Sequence, residues 1–109
     1  MAAYEECYEE RFRRNLFRYP QLRERLARLT RRIARDPYRN TERLSAQRDG
    51  LDLRGCRSYR IGRNFRILFV ICEECRQVKE CHYCYCEGLS EKSVVFLTFG
   101  PHQRAYAMK

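Results

Sequence analysis

RSYRIGRNFRILFVI, residues 57–71, is the stretch on which the reading of this chain turns. Arg57 to Ile61 reads as a strand, and Gly62-Arg63-Asn64 as the short turn of a hairpin. Phe65 to Ile71 is apolar almost throughout, which is the pattern of a central strand covered on at least one face. Arg66 interrupts that apolar run. A guanidinium inside such a strand must find an anionic partner or water. It is therefore either a phosphate ligand or an edge arginine reaching out to solvent along its aliphatic stem.

C-terminal to the hairpin, residues 72–92 are rich in cysteine, and SVVFLTF, Ser93 to Phe99, is a second buried strand that Gly100-Pro101 should stop. A short polar tail runs from His102 to Lys109. N-terminal to the hairpin, residues 38–55 are polar and irregular, with turn signals at Asp49-Gly50 and Gly55. Before them, Leu22, Leu26, Leu29 and Ile33 recur at helical spacing, and Asp36-Pro37 ends that helix because the residue before proline avoids the α region. Pro20 suits its first turn. Residues 9–19 form another helix, with Phe12, Leu16 and Tyr19 on one face. Met1 to Tyr8 reads as a first strand or the start of a helix, the short strand being preferred. Two amphipathic helices joined so tightly cannot each cover a separate sheet face. The expected fold class is α+β: a helical hairpin packed on one face of a small, mainly antiparallel sheet. The whole of 1–109 makes one domain, with 72–92 as a Cys-rich hairpin insertion.

The charge is concentrated. Residues 1–10 carry four Glu and no base, whereas residues 11–66 carry eighteen Arg, no Lys and five acids. Arginine is the cation that meets phosphate with two parallel hydrogen bonds, so this middle segment is read as a polyanion surface. Arg25, Arg28, Arg32 and Arg35 fill one face of the second helix and could be no more than a solvated face. No apolar run approaches the roughly 18–20 residues that span a membrane, and no basic-then-apolar signal opens the chain. A cytoplasmic protein with no membrane partner is expected.

Of seven cysteines, five fall within residues 72–86. That clustering favours metal or redox chemistry in a reducing compartment over a disulfide scaffold. Cys72-x-x-Cys75 and Cys81-x-x-Cys84 could close a tetrahedral structural zinc site of four thiolates, with Cys86 or His82 able to replace a ligand. The gap between the pairs is shorter than in zinc ribbons, and a disulfide pair, free thiols or, less favoured, an iron–sulfur cluster are the alternatives. Cys7 and Cys56 read as small buried hydrophobes.

In element order and in two motifs the chain resembles the RelE/ParE toxin superfamily of type II toxin–antitoxin systems. The resemblance covers about residues 4–71 and 93–106. Its most specific piece is Arg57-Ser-Tyr-Arg60-Ile-Gly-Arg-Asn-Phe-Arg66, similar to the family's R-x-Y-R-x-G-x-(Y/F)-R hairpin. The second marker is the closing H-x-x-x-Y element, His102 to Tyr106.

The resemblance implies a RelE-like fold and either of two activities. RelE-like members are endoribonucleases that cut mRNA, typically on the ribosome; ParE-like members inhibit DNA gyrase. Both are held inactive by an antitoxin, here expected to be acidic. Arg66 matches the family's phosphate-stabilising arginine, and Arg60 corresponds, with a one-residue gap, to a basic position on the preceding strand. His102 is the candidate proton donor or acceptor, since imidazole exchanges protons near neutral pH. Tyr106 could stack on a base or share in proton transfer; Arg57 and Arg104 are candidate RNA contacts. For the general base, Glu42, Asp49 and Asp52 stay open. RNA cleavage by the 2′-hydroxyl needs an acid, a base and a cation but no metal, so no cofactor is required beyond a structural zinc. His102 and Tyr106 favour the ribonuclease. A zinc-containing nucleic-acid-binding module without catalysis is a third reading.

Overall fold

A computed structural model of the chain describes residues 3–44, 47–48, 51–52, 55–77 and 88–101. Strand β1 (Glu5–Tyr8) leads into helix α1 (Glu10–Arg18), a single 3-10 turn at Pro20–Leu22, and helix α2 (Arg23–Arg35). Two-residue strands follow: β2 (Glu42–Arg43), β3 (Gln47–Arg48) and β4 (Leu51–Asp52). Then come β5 (Cys56–Ile61), β6 (Phe65–Ile71), the four-residue helix α3 (Cys72–Cys75) and β7 (Ser93–Pro101). The main sheet has the order β1-β7-β6-β5-β2, and β3 and β4 pair separately. β1 runs parallel to β7; the other pairings are antiparallel. The α+β architecture is the one the hydrophobic pattern predicts.

The β5–β6 hairpin closes where Ile61 pairs with Phe65. Gly62 starts its turn at φ 61°, a left-handed conformation that costs glycine little. Along β6 the side chains alternate. Ile67, Phe69 and Ile71 join Phe12, Leu26, Ile33, Ile61, Val94, Phe96 and Phe99 in the core beneath the helices. Leu68 and Val70 point the other way, into a second core with Leu44, Cys56, Cys72, Cys75, Val95 and Leu97. Both faces of the central strand are thus covered, which explains its almost unbroken hydrophobicity.

The helices are fastened to the sheet at named points. Phe12 packs edge-on to Phe99, with centroids 4.9 Å apart. The Asn15 amide donates to Thr98 Oγ1 at 3.0 Å and to the Phe99 carbonyl at 2.8 Å. The Tyr8 hydroxyl donates to Thr30 Oγ1 at 3.0 Å. α2 ends at Arg35, ahead of Asp36-Pro37, as expected.

Three features differ from expectation. Residues 38–55 include β2, β3 and β4 rather than being irregular throughout; two-residue strands are too short for a period to show in sequence. β7 does not stop before Gly100-Pro101 but runs through them, Gly100 pairing with Arg66 and Pro101 with Phe65. Proline is tolerated there because β1 pairs only as far as Phe96, leaving that side of β7 without a strand. Finally, Cys72-Glu-Glu-Cys75 is a helical turn that directly continues β6.

Candidate anion-binding face

Register builds the site. Arg60 on β5 lies directly opposite Arg66 on β6, and Arg66 lies opposite Gly100 on β7. The three form a row across the sheet, on the face away from the helices. Gly100 owes its place to a bulge. β7 loses register between the partners of Leu68 and Phe69, so Leu97 is an extra residue. Val94 and Phe96 lie in the helix-side core before it, and Phe99 lies there after it. The bulge therefore turns Gly100 toward the face of Arg66, the re-aiming for which bulges are used.

The electrostatics of this row are unfavourable to the protein alone. Like charges directly opposite across two strands repel. Arg66 Nε is buried and has no hydrogen-bond partner among the described residues, and leaving a buried donor unmade costs about 1–3 kcal/mol. Ser58, two residues before Arg60 on the same face, is 1% exposed, and its hydroxyl also lacks a partner among the described residues. Among the described residues no carboxylate pairs with Arg60 or Arg66. An anion seated here would answer both arginines.

One candidate base shares the face. Glu42 is exposed on β2 and pairs directly with Ser58. It is thus a diagonal neighbour of Arg60, a relation that spans roughly 7–8 Å. Asp52 belongs to β4, outside the main sheet.

Arg57 does not join the row. It stands an odd number of residues from Arg60 and projects from the other face, opposite Phe69. Glu74 on α3 holds it: Nε lies 3.0 and 3.1 Å from the two carboxylate oxygens, and Nη2 2.8 Å from Oε2. Nη1 donates to Thr41 Oγ1 at 3.2 Å, and the guanidinium lies 4.9 Å from the centre of the Tyr38 ring. The side chains are 13% and 11% exposed. The arginine expected to touch RNA instead has its fork filled by a carboxylate.

Glu73, beside it, accepts from Tyr4, from Tyr38 at 2.9 Å and from Lys92 at 3.1 Å. The Tyr4 hydrogen bond above all, with help from Lys92 and Tyr38, holds its carboxyl below the usual range despite opposition from burial. Burial and then Glu73 push the phenols of Tyr4 and Tyr38 up. These contacts lash α3 to the N-terminal strand, the α2–β2 connection and the start of β7.

Cys72 and Cys75 both lie in the core on the face away from the helices, 0% and 5% exposed, in one cluster with Cys56. Cys56 is buried as expected and Cys7 partly so. Among the described residues no group of three or more His, Cys, Asp or Glu is placed to hold a metal ion. Cys81, Cys84, Cys86 and His82 lie outside the described residues, as do Asp49, His102, Arg104 and Tyr106.

The arginines of α2 border open grooves. Arg25, Arg28 and Arg32 line one of about 400 Å³ with Tyr59 and Arg60. Arg32, Arg35 and Arg39 line another of about 360 Å³, again with Tyr59. They lie along β5 past the two residues that β2 covers. Arg60 stands at the rim between this basic wall and the Arg66 row. Two members of the face, Ser58 and Gly100, carry no motif of their own in the sequence. Counting by twos from Arg60 reaches Ser58, but the bulge hides Gly100. No described helix is long and apolar enough to cross a membrane.

No protein-family profile matches the chain, and neither does any curated protein. Among solved structures it is similar to a chain of the toxin–antitoxin complex RelBE2 from Mycobacterium tuberculosis. The TM-score is 0.64 and the identity 21%, over 93% of each chain. The fold is RelE-like, with helices packed on a five-stranded sheet.

Proposed function

We propose that the chain is the toxin of a toxin–antitoxin pair and an endoribonuclease whose Arg60–Arg66 row holds the scissile phosphate of an RNA strand. The observation that carries this reading is the cross-strand arginine pair, one Nε buried without an acceptor among the described residues. The fold shared with a toxin–antitoxin complex supports the toxin role and an antitoxin partner. An acidic antitoxin would be drawn to the same cations, so inhibition and substrate binding compete for one face.

In the reaction, the RNA 2′-oxygen attacks the adjacent phosphorus while its proton passes to the Glu42 carboxylate. The bond to the 5′-oxygen breaks as that oxygen takes a proton from His102. The products are a 2′,3′-cyclic phosphate and a 5′-hydroxyl. Arg66 and Arg60 stabilise the charge that gathers on the equatorial oxygens, commonly the largest single contribution to such catalysis. Acid–base transfer adds about 10²–10⁴-fold. His102 is joined to Pro101, whose partner Phe65 precedes Arg66 in the chain. Tyr106 stacks on a substrate base and Arg104 contacts phosphate. Cys72 and Cys75, with Cys81 and Cys84, would hold a structural zinc ion, which would stabilise the fold and supply none of the chemistry above.

The purified protein is incubated with end-labelled mRNA, with and without ribosomes. Cleavage leaving 2′,3′-cyclic phosphate ends, abolished in Arg66→Ala, is the expected result. Inhibition of DNA supercoiling without RNA cleavage would instead assign a gyrase inhibitor. Full cleavage by both Arg66→Ala and His102→Ala would discard the site.

A further inference from the structure

A further cleft lies not in the Arg60–Arg66 row but beside it. About 520 Å³ in volume, it lies between α1 and the end of β7 that β1 leaves uncovered. Arg11, Arg14 and Arg18 stand at i, i+3 and i+7 on one face of α1 and line it; among the described residues no carboxylate does. None of the three is ion-paired among the described residues. Asn15 fixes this face against β7 through Thr98 and the Phe99 carbonyl, so the wall is held in place.

Phe17 lines the same cleft and is 77% exposed, while Phe12, on the core side of the same helix, is 1% exposed. The Arg23 guanidinium lies 5.8 Å from the centre of the Phe17 ring, which still leaves most of the side chain in solvent. An exposed aromatic ring among unpaired arginines is the composition of a single-stranded nucleic-acid platform: rings stack on bases and cations follow the backbone.

Gly100 joins the two places. It faces Arg66 across β6 and β7, and it lines the cleft. Among the described residues a Cβ added at Gly100 would meet nothing within 4 Å, so the backbone there is uncovered. The cleft opens on the α1 side of β7 and the row on the other, so a bound strand would pass between them round the end of β7 that β1 does not pair.

We propose that the α1–β7 cleft is a flanking-nucleotide subsite: a nucleotide next to the scissile phosphate stacks its base on Phe17 and gives its phosphate to Arg14 and Arg18. This rests on the RNA reading of the Arg60–Arg66 row and extends it. The subsite makes substrate length matter, since an RNA too short to reach the cleft forgoes the stack and the second phosphate.

The test uses the full chain and RNA hexamers carrying 2-aminopurine at one position at a time. Binding is followed by anisotropy, and stacking by 2-aminopurine quenching. In wild type, one position is quenched most. Phe17→Leu abolishes that quenching and weakens binding roughly tenfold. Arg14→Gln with Arg18→Gln reduces the slope of log affinity against log salt by about 0.7 for each phosphate no longer neutralised. Both changes are at exposed side chains, and circular dichroism confirms that the variants fold. If the variants keep wild-type affinity, quenching and salt slope while Arg66→Gln weakens binding, the subsite is refuted and the Arg66 reading survives. If wild type binds no RNA, both fall. If the variants bind poly-glutamate more weakly but RNA as well as wild type does, the cleft serves an acidic protein and the subsite is again refuted.

Discussion

Arg57 and Arg60 stand three residues apart on β5 and project from opposite faces of the sheet. One is clasped by Glu74 and the other faces Arg66. Their substitutions should separate stability from activity. Arg57→Ala leaves Glu74 largely buried without its partner, which costs about 3 kcal/mol. Urea unfolding should show that loss, while RNA affinity of the remaining folded protein is unchanged. An RNA affinity that falls with no loss of stability would return Arg57 to the binding surface.

Arg66→Met should act in the reverse sense. It removes a repulsion across the β5–β6 pair and an unanswered buried donor, so stability holds or rises by about 0.5–1 kcal/mol. Growth arrest on expression should disappear. Loss of arrest accompanied by a lowered melting temperature would mean that the residue was structural.

Acid should loosen the α3 anchor. Glu73 is held below its ordinary pKa, chiefly by the Tyr4 hydroxyl. The unfolded chain therefore takes up its proton first as pH falls. The stabilisation is complete above the ordinary carboxylate value and is lost as pH drops through the lowered one. The urea midpoint of wild type should fall more steeply than that of Glu73→Gln across the acid range; parallel curves would remove Glu73 from the account. Tyr8 gives an alkaline counterpart. Burial first, then Glu6, raises its phenol to about 12, so its contribution is present below pH 10 and lost as pH rises through the raised value.

Gly100→Leu tests the crossing at Gly100 directly. With nothing among the described residues within 4 Å of an added Cβ, the fold should accept the side chain, and relief of glycine's entropy would add about 0.5–1 kcal/mol. RNA affinity should drop about tenfold, whereas Gly100→Ala stays near wild type. Equal affinity for both would show that the strand does not pass there.

Protein purified under reducing conditions should carry about one equivalent of zinc. Removing it with a chelator should lower the melting temperature and leave the Arg60–Arg66 row able to bind RNA. Less than about half an equivalent would rule out the four-cysteine site.

Much of this is legible in the sequence because burial enforces periodicity. The helices follow from Phe12, Leu16 and Tyr19 and from Leu26 and Ile33, the central strand from its apolar run. Arg60 and Arg66 follow from the hairpin turn alone, since pairing Ile61 with Phe65 sets them opposite. What the sequence hides depends on contacts between distant parts of the chain. Arg57's carboxylate comes from a helical turn seventeen residues on, though strand alternation does say that it faces away from Arg60. Gly100 reaches the Arg66 face only because of the bulge at Leu97, and no residue type announces a bulge. Phe17 falls outside the core periodicity of its helix, and that irregularity is itself the signal of the cleft.

The parallel pairing of β1 with β7 has a consequence in time. Glu5 to Tyr8 find their sheet partners in Ser93 to Phe96, almost a whole chain away. Contacts so distant in sequence form late, after the entropy of closing the intervening chain has been met. During synthesis the first strand must wait with its edge unpaired, and the third position of the Arg60–Arg66–Gly100 row does not exist until residue 100 has been made. The candidate anion-binding face is therefore among the last parts of the molecule to assemble, complete only once β7 has emerged.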